Sequence, residues 1–209
     1  MLQCSVCRPI QYVAVGSVFL LEFPSAGIPM SSMKSFAEEM SFYAAYHQEN
    51  RNIIIHIFGV PAISFSVLIP LAMVSLFDFA GITINLAMVF TLAILSYYFL
   101  LDAVFALAAA LVYLACLIGA MWVAAMPPFT AWTIAALFFF GGWAVQFFGH
   151  YAFEKKRPAL FDNLFQALFS APIFVVADVF FRLGLRTEIQ KKVEELLKQR
   201  GQLRQAGVA

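Results

Sequence analysis

The sequence predicts an all-α integral membrane bundle of about four transmembrane helices, and three of its features do so. Of 209 residues, 63% are hydrophobic and only 12% charged, and the mean hydropathy of +0.85 lies far outside the range of a water-soluble domain. Between residues 52 and 153 there is no Lys or Arg, and Asp78 and Asp102 are the only acids. The apolar residues also fall into runs of about twenty, the length a helix needs to cross the hydrocarbon. Against this background the three histidines, His47, His56 and His150, all stand where apolar sequence meets polar.

Residues 1–33 read as an N-terminal extension. Their apolar stretch at 9–30 carries Glu22 and Pro24 and is preceded by Arg8 alone, which makes a poor signal sequence. Met30 or Met33 is a reasonable native start, because Ser35-Phe36-Ala37-Glu38 then opens an amphipathic helix as a capping box. The membrane domain occupies residues 34–186. Four spans are expected at 53–77, 82–101, 103–125 and 129–149, separated by residues 78–81, by Asp102 and by Met126-Pro127-Pro128. Such short connections make neighbouring spans antiparallel.

Lys34 and Arg51 precede the first span, and Lys155, Lys156 and Arg157 follow the fourth. An even number of crossings puts both groups on one side, and the positive-inside rule makes that side, with both termini, cytoplasmic. Residues 163–183 are apolar but hold Pro172 and Asp178, and a crossing there would export Arg182 and Arg186. That segment therefore reads as re-entrant or interfacial. In the tail, 187–209, Ile189, Val193, Leu196 and Leu197 form one stripe behind a Thr187-to-Gln190 capping box, the pattern of an amphipathic surface helix. Cys4, Cys7 and Cys116 lack framework spacing, so disulfides do not organise the fold. A net charge of +1 leaves no footprint for nucleic acid, while membrane lipid is an obligatory neighbour and oligomerisation stays open.

This topology gathers His47, His56, Asp102, His150 and Glu154 at one end of the bundle and sends Asp78 to the other. A single histidine at such a boundary is often only a hydrogen-bonding residue of the fold, but three at one end point to a metal or proton-transfer centre. His47 and His56 are nine residues apart, about half a turn out of phase on a continuous helix. Both reach one ion only if the chain breaks near residues 49–52. Asn52 shares a helical face with His56 and reads as the partner that fixes its tautomer; Glu154 follows His150 by four residues on one face. Tyr43, Tyr46, Tyr97, Tyr98 and Tyr151 read as an interfacial aromatic belt, and Gly59, Pro61, Gly141 and Gly142 as points of close packing or kinking. The Lys155-Lys156-Arg157 run is a membrane-side anchor or a hold on a carboxylate head group.

Two blocks of sequence carry a resemblance. The run Tyr46-His47-Gln48-Glu49-Asn50-Arg51-Asn52-Ile53-Ile54-Ile55-His56-Ile57-Phe58-Gly59-Val60-Pro61 resembles the His-x4-Asn-x3-His-x2-Gly-x-Pro signature of the membrane 2-hydroxy fatty acid dioxygenases, a family of α-oxidation in phytosphingosine-type lipid breakdown. Gln146-Phe147-Phe148-Gly149-His150, with Glu154 and Arg157-Pro158-Ala159-Leu160, resembles that family's other signature. The resemblance implies an Fe(II)-dependent oxidoreductase that takes a 2-hydroxy fatty acid and O2 and yields an acid one carbon shorter. It implies His47, His56 and His150 as iron ligands, with Glu154 or Asp102 as a further ligand or an orienting partner, and Arg51, Asn52, Lys155 and Arg157 around the substrate head group. Imidazole and carboxylate suit Fe(II), and a 2-hydroxy acid can chelate a metal through its hydroxyl and carboxylate.

Two rival readings use the same residues. A zinc-dependent membrane hydrolase of lipid amides would also be served by three histidines and an aspartate. A non-enzymatic transporter or lipid-binding scaffold would use the histidines as proton relays or packing groups, although a cluster at one end offers no through-pathway.

Overall fold

The computed structural model describes residues 35–158 and 169–203, so the N-terminal extension and residues 159–168 lie outside the described residues. It is an all-α membrane bundle with one small β-hairpin. Helix α1 (Phe36–Ala44) starts as the capping box requires: Ser35 N–H donates to Glu38 Oε2 at 2.6 Å. After a short turn, α2 (Asn50–Ala72) runs for 23 residues. The chain thus breaks between Ala44 and Asn50, a few residues before the expected position, and His47 sits in the turn and not on the amphipathic helix.

The first span ends at Ala72, where a run to residue 77 was expected. A hairpin follows, β1 (Ser75–Phe79) paired antiparallel with β2 (Ile82–Asn85). Ala80 and Gly81, both at positive φ, make the two-residue turn that such hairpins favour, and Thr83 donates to Asp78 across the strands at 2.6 Å. Hydropathy alone merges these apolar strands with the helices on either side, because a short apolar run carries no decisive period.

Helix α3 (Leu86–Leu101) is consequently 16 residues, about 24 Å long and shorter than the hydrocarbon is thick. It is an apolar helix below spanning length, whereas α2, α4 (Ala103–Ala124) and α5 (Pro128–Gly149, extended to Glu154) are long and apolar enough to cross a membrane. Their outward surface is apolar, with Phe58, Trp122, Phe129 and Phe140 exposed, as a lipid-facing wall must be. Small residues fill the inside, including Ala106, Ala109, Ala120, Ala131 and Ala135.

A single residue joins α3 to α4. Asp102 caps α4 by accepting from the N–H groups of Val104 (2.9 Å) and Phe105 (3.1 Å), and it meets Arg186 Nη2 at 2.8 Å. The Asp102 carboxylate is therefore committed to the fold. Asp102→Ala is expected to cost about 1 kcal/mol, the worth of a helix cap, seen as a lower thermal midpoint with bound metal retained.

Helix α6 (Ala171–Arg182) has 12 residues, about 18 Å, too short to cross the bilayer by itself. It buries Ile173, Phe174 and Val175 within the bundle, and Arg182 donates to Asn50 Oδ1 at 2.9 Å, fixing its C-terminal end beside the start of α2. Helix α7 (Thr187–Gln199) buries Val193 and Leu197, with Ile189 and Leu196 partly covered, and packs against α1. Its start differs from expectation: Arg186, in left-handed conformation, is the capping residue, and Gln190 N–H bonds to Arg186 O, with the Gln190 side chain turned to Glu194. Arg186 is held there by Asp102 and Glu188, so tertiary contacts displace the Thr187 box.

Of the five tyrosines expected in a belt, three serve the interior instead. Tyr98 is fully buried and donates to Phe169 O at 2.7 Å, and Tyr97 meets Ser170 Oγ at 3.0 Å. Tyr43 packs on a histidine, described next.

Candidate metal centre

Three chain segments bring the imidazoles together. His47 comes from the turn after α1, His56 from the second turn of α2, and His150 from a π-helical turn (His150–Glu154) that closes α5. The turn ends at Lys155, held at φ 55°. All three rings are buried, at 6%, 3% and 2% exposure, with centroids 4.4 to 5.0 Å apart. Their ligand atoms lie within 4.8 Å of one another, the only such His, Cys, Asp or Glu cluster among the described residues.

Close packing of α2 on α5 makes this approach possible. A Cβ on Gly142 would stand 2.6 Å from Ile63 Cγ1, one on Gly59 would stand 3.1 Å from Gln146 Cγ, and one on Gly149 would run into the Asn52 amide. Gly141, by contrast, faces open space, so only the second glycine of that pair serves the contact. The small-residue face lets the two backbones approach, as in other membrane helix pairs.

Two imidazoles are oriented by their own helical backbone. His47 Nδ1 is 2.8 Å from Tyr43 O, and His56 Nδ1 is 2.9 Å from Asn52 O. Because a carbonyl only accepts, these contacts place the proton on Nδ1 and leave Nε2 with its lone pair, the state a metal ligand needs. The tautomer-fixing partner of His56 is thus the Asn52 backbone and not its side chain; the Asn52 amide lies instead against Gly149. His47 Nε2 and His150 Nδ1 are buried with no hydrogen-bond partner. Burial, and then the rings of His56 and His150, hold the His47 imidazole well below the usual histidine range, hence neutral at pH 7. Uncompensated buried nitrogens are costly, and a shared cation satisfies them. The donor set fits a metal ion.

Glu154 acts one step away. Its Oε1 accepts from the backbone N–H of Gln48 and, at 2.8 Å, from that of Glu49, pinning the turn that carries His47. Lys156 Nζ donates to Ala45 O at 3.2 Å, and Gln48 Nε2 to Gln202 O at 2.8 Å. Glu154→Ala frees this turn and is expected to weaken metal binding by about 10- to 100-fold, the usual worth of an outer partner; a metal titration of the purified variant reads it directly.

The cluster opens into a cavity of about 60 Å³ lined by Tyr43, Val60, Ile63, Trp143, Gln146 and Phe147 among others. Arg51, Lys155 and Arg157 are exposed and do not line it; Arg51 rests over the Phe153 ring, 5.5 Å from its centroid. Sequence reasoning did not assign Tyr43 or Gln146 to the site. Tyr43 stacks on His47 with centroids 3.9 Å apart, and Gln146 lines the same cavity as the His56 ring. A signal was present, since Tyr43 precedes His47 and Gln146 precedes His150 by four residues, one helical turn.

Comparison with known proteins agrees with the geometry. The family model described as 2-hydroxy-palmitic acid dioxygenase Mpo1-like matches residues 33–183. The 2-hydroxy-palmitic acid dioxygenase MPO1 of Saccharomyces cerevisiae is 34% identical over 160 residues, covering 77% of this chain and 88% of the relative. No solved structure matches the chain. The matched stretch runs from the start of the amphipathic helix to the end of α6 and holds all three clustered histidines, and over it the chain belongs to the Mpo1-like family.

Proposed function

We propose that this protein is an Fe(II)-dependent dioxygenase that converts a 2-hydroxy fatty acid to an acid one carbon shorter, in a multi-pass membrane protein in which the 16-residue α3 serves as a fourth, short crossing and the site and both termini lie at the cytoplasmic face. The observation that carries the reading is the buried three-histidine cluster opening into a largely apolar cavity, in a chain similar to a named 2-hydroxy-palmitic acid dioxygenase. His47, His56 and His150 hold the ion, and Glu154 keeps the His47 turn in place. Fe(II), if held by these three imidazoles, would supply the redox chemistry with O2 and a Lewis-acid hold on the 2-hydroxy acid.

The protein's own part is to bind, orient and exclude water. Gln146 and Tyr43 stand beside the rings at the head group, while Val60, Ile63, Trp143 and Phe147 wall the first carbons next to it. Arg51, Lys155 and Arg157 are placed to draw a fatty carboxylate to the interface by charge. The overall conversion balances as 2-hydroxy acid plus O2 giving the shortened acid, carbon dioxide and water, so no external reductant is needed.

Anaerobically purified protein reconstituted with Fe(II) is expected to consume O2 with 2-hydroxypalmitic acid and to release the acid one carbon shorter. Turnover that proceeds without O2, or a lipid amide cleaved by zinc-loaded protein, would overturn the reading in favour of a hydrolase.

A further inference from the structure

Helices α2, α4 and α6 enclose a second cavity of about 110 Å³, larger than the one at the histidines. Its wall is almost wholly apolar, with Ile57 and Pro61 on α2, Ala109 and Cys116 on α4, and Val175 and Val179 on α6. Polar groups at its edge have partners of their own: the Tyr113 hydroxyl meets that of Tyr98 at 3.5 Å, and Cys116 Sγ donates to Pro61 O at 3.8 Å. Ser64 and Pro172 form part of the wall of both cavities, so the histidine-lined space and the apolar space adjoin along one boundary. Membrane bundles otherwise pack closely, and an apolar void is costly to leave unfilled. Lined almost wholly by carbon, such a space favours a hydrocarbon over water.

We propose that this α2/α4/α6 cavity receives the acyl chain of the 2-hydroxy fatty acid, which passes from the histidine centre across the boundary marked by Ser64 and Pro172, and that Ala109 and Cys116 set the chain length accepted. The inference rests on the fatty acid reading above. It extends that reading by assigning specificity to α4 and α6, neither of which supplies a ligand.

Two measurements on the full-length, iron-loaded protein test it. In the first, 2-hydroxypalmitic acid carrying a diazirine at its terminal carbon is bound without O2 and photolysed, and labelled peptides are mapped. Adducts on 109–116 and 175–179 are expected; adducts confined to the α5 side, at Trp143 or Phe147, or to lipid-facing residues would overturn the proposal. In the second, Cys116→Phe and Ala109→Phe shorten the cavity, and the rate ratio of 2-hydroxypalmitic to 2-hydroxyoctanoic acid is read. That ratio is expected to fall by about tenfold or more, the scale set by filling a hydrophobic pocket, and an unchanged ratio in both variants would overturn it. Wild-type protein that turns over 2-hydroxy acids without labelling α4 or α6 sinks this inference alone. Wild-type protein that binds and oxidises no 2-hydroxy acid sinks the functional reading and this inference with it.

Discussion

Replacement of any one of His47, His56 and His150 by alanine is expected to remove bound iron and turnover together. Each ring supplies one of three converging donors, and two imidazoles in a buried site do not hold an Fe(II) ion against water and free chelators. The loss should exceed the roughly 100-fold that an outer partner such as Glu154 is worth. Expression and helix content should survive, because the rings sit at the end of the bundle and the small-residue contacts of α2 with α5 remain. Metal analysis of the purified variants, beside their O2 uptake and circular dichroism, reads all three quantities. Iron retained in any two of the variants would remove the ligand assignment.

Gly149→Ala is expected to be the most damaging change that touches no ligand. The added methyl group runs into the Asn52 amide and comes within 3.2 Å of Ile55 Cδ1. The Asn52 amide cannot swing away easily, since Asn52 is fully buried. Relief requires α2 and α5 to separate at the level of His56 and His150. Overpacking of this kind costs about 1–3 kcal/mol, and the displacement enters the spacing of the rings directly. The variant should melt earlier and bind iron more weakly, whereas Gly141→Ala, whose added methyl group meets open space, should match the parent in both.

Much of this was legible in the amino-acid order, for identifiable reasons. Long apolar runs gave α2, α4 and α5 because length and composition alone decide what crosses a bilayer. Helical phase required a break if His47 and His56 were to share one ion; expected near residues 49–52, it appears between Ala44 and Asn50. The hairpin was hidden: Ser75–Phe79 and Ile82–Asn85 are as apolar as the helices beside them, so a window of hydropathy runs through them. Roles decided by partners distant in sequence were equally hidden. Nothing near Asp102 announces Arg186, and nothing near Glu154 announces the N–H groups of Gln48 and Glu49. For the same reason Tyr43 and Tyr98 looked like interface residues until the segments that cover them were in place.

The donors of the centre come from residues 47, 56 and 150, with most of the membrane domain made between the second and the third. During synthesis the third donor becomes available only once α5 has emerged and packed on α2 at Gly59, Gly142 and Gly149. A three-imidazole centre of the kind proposed above can therefore take up its ion only after α2 and α5 have packed together.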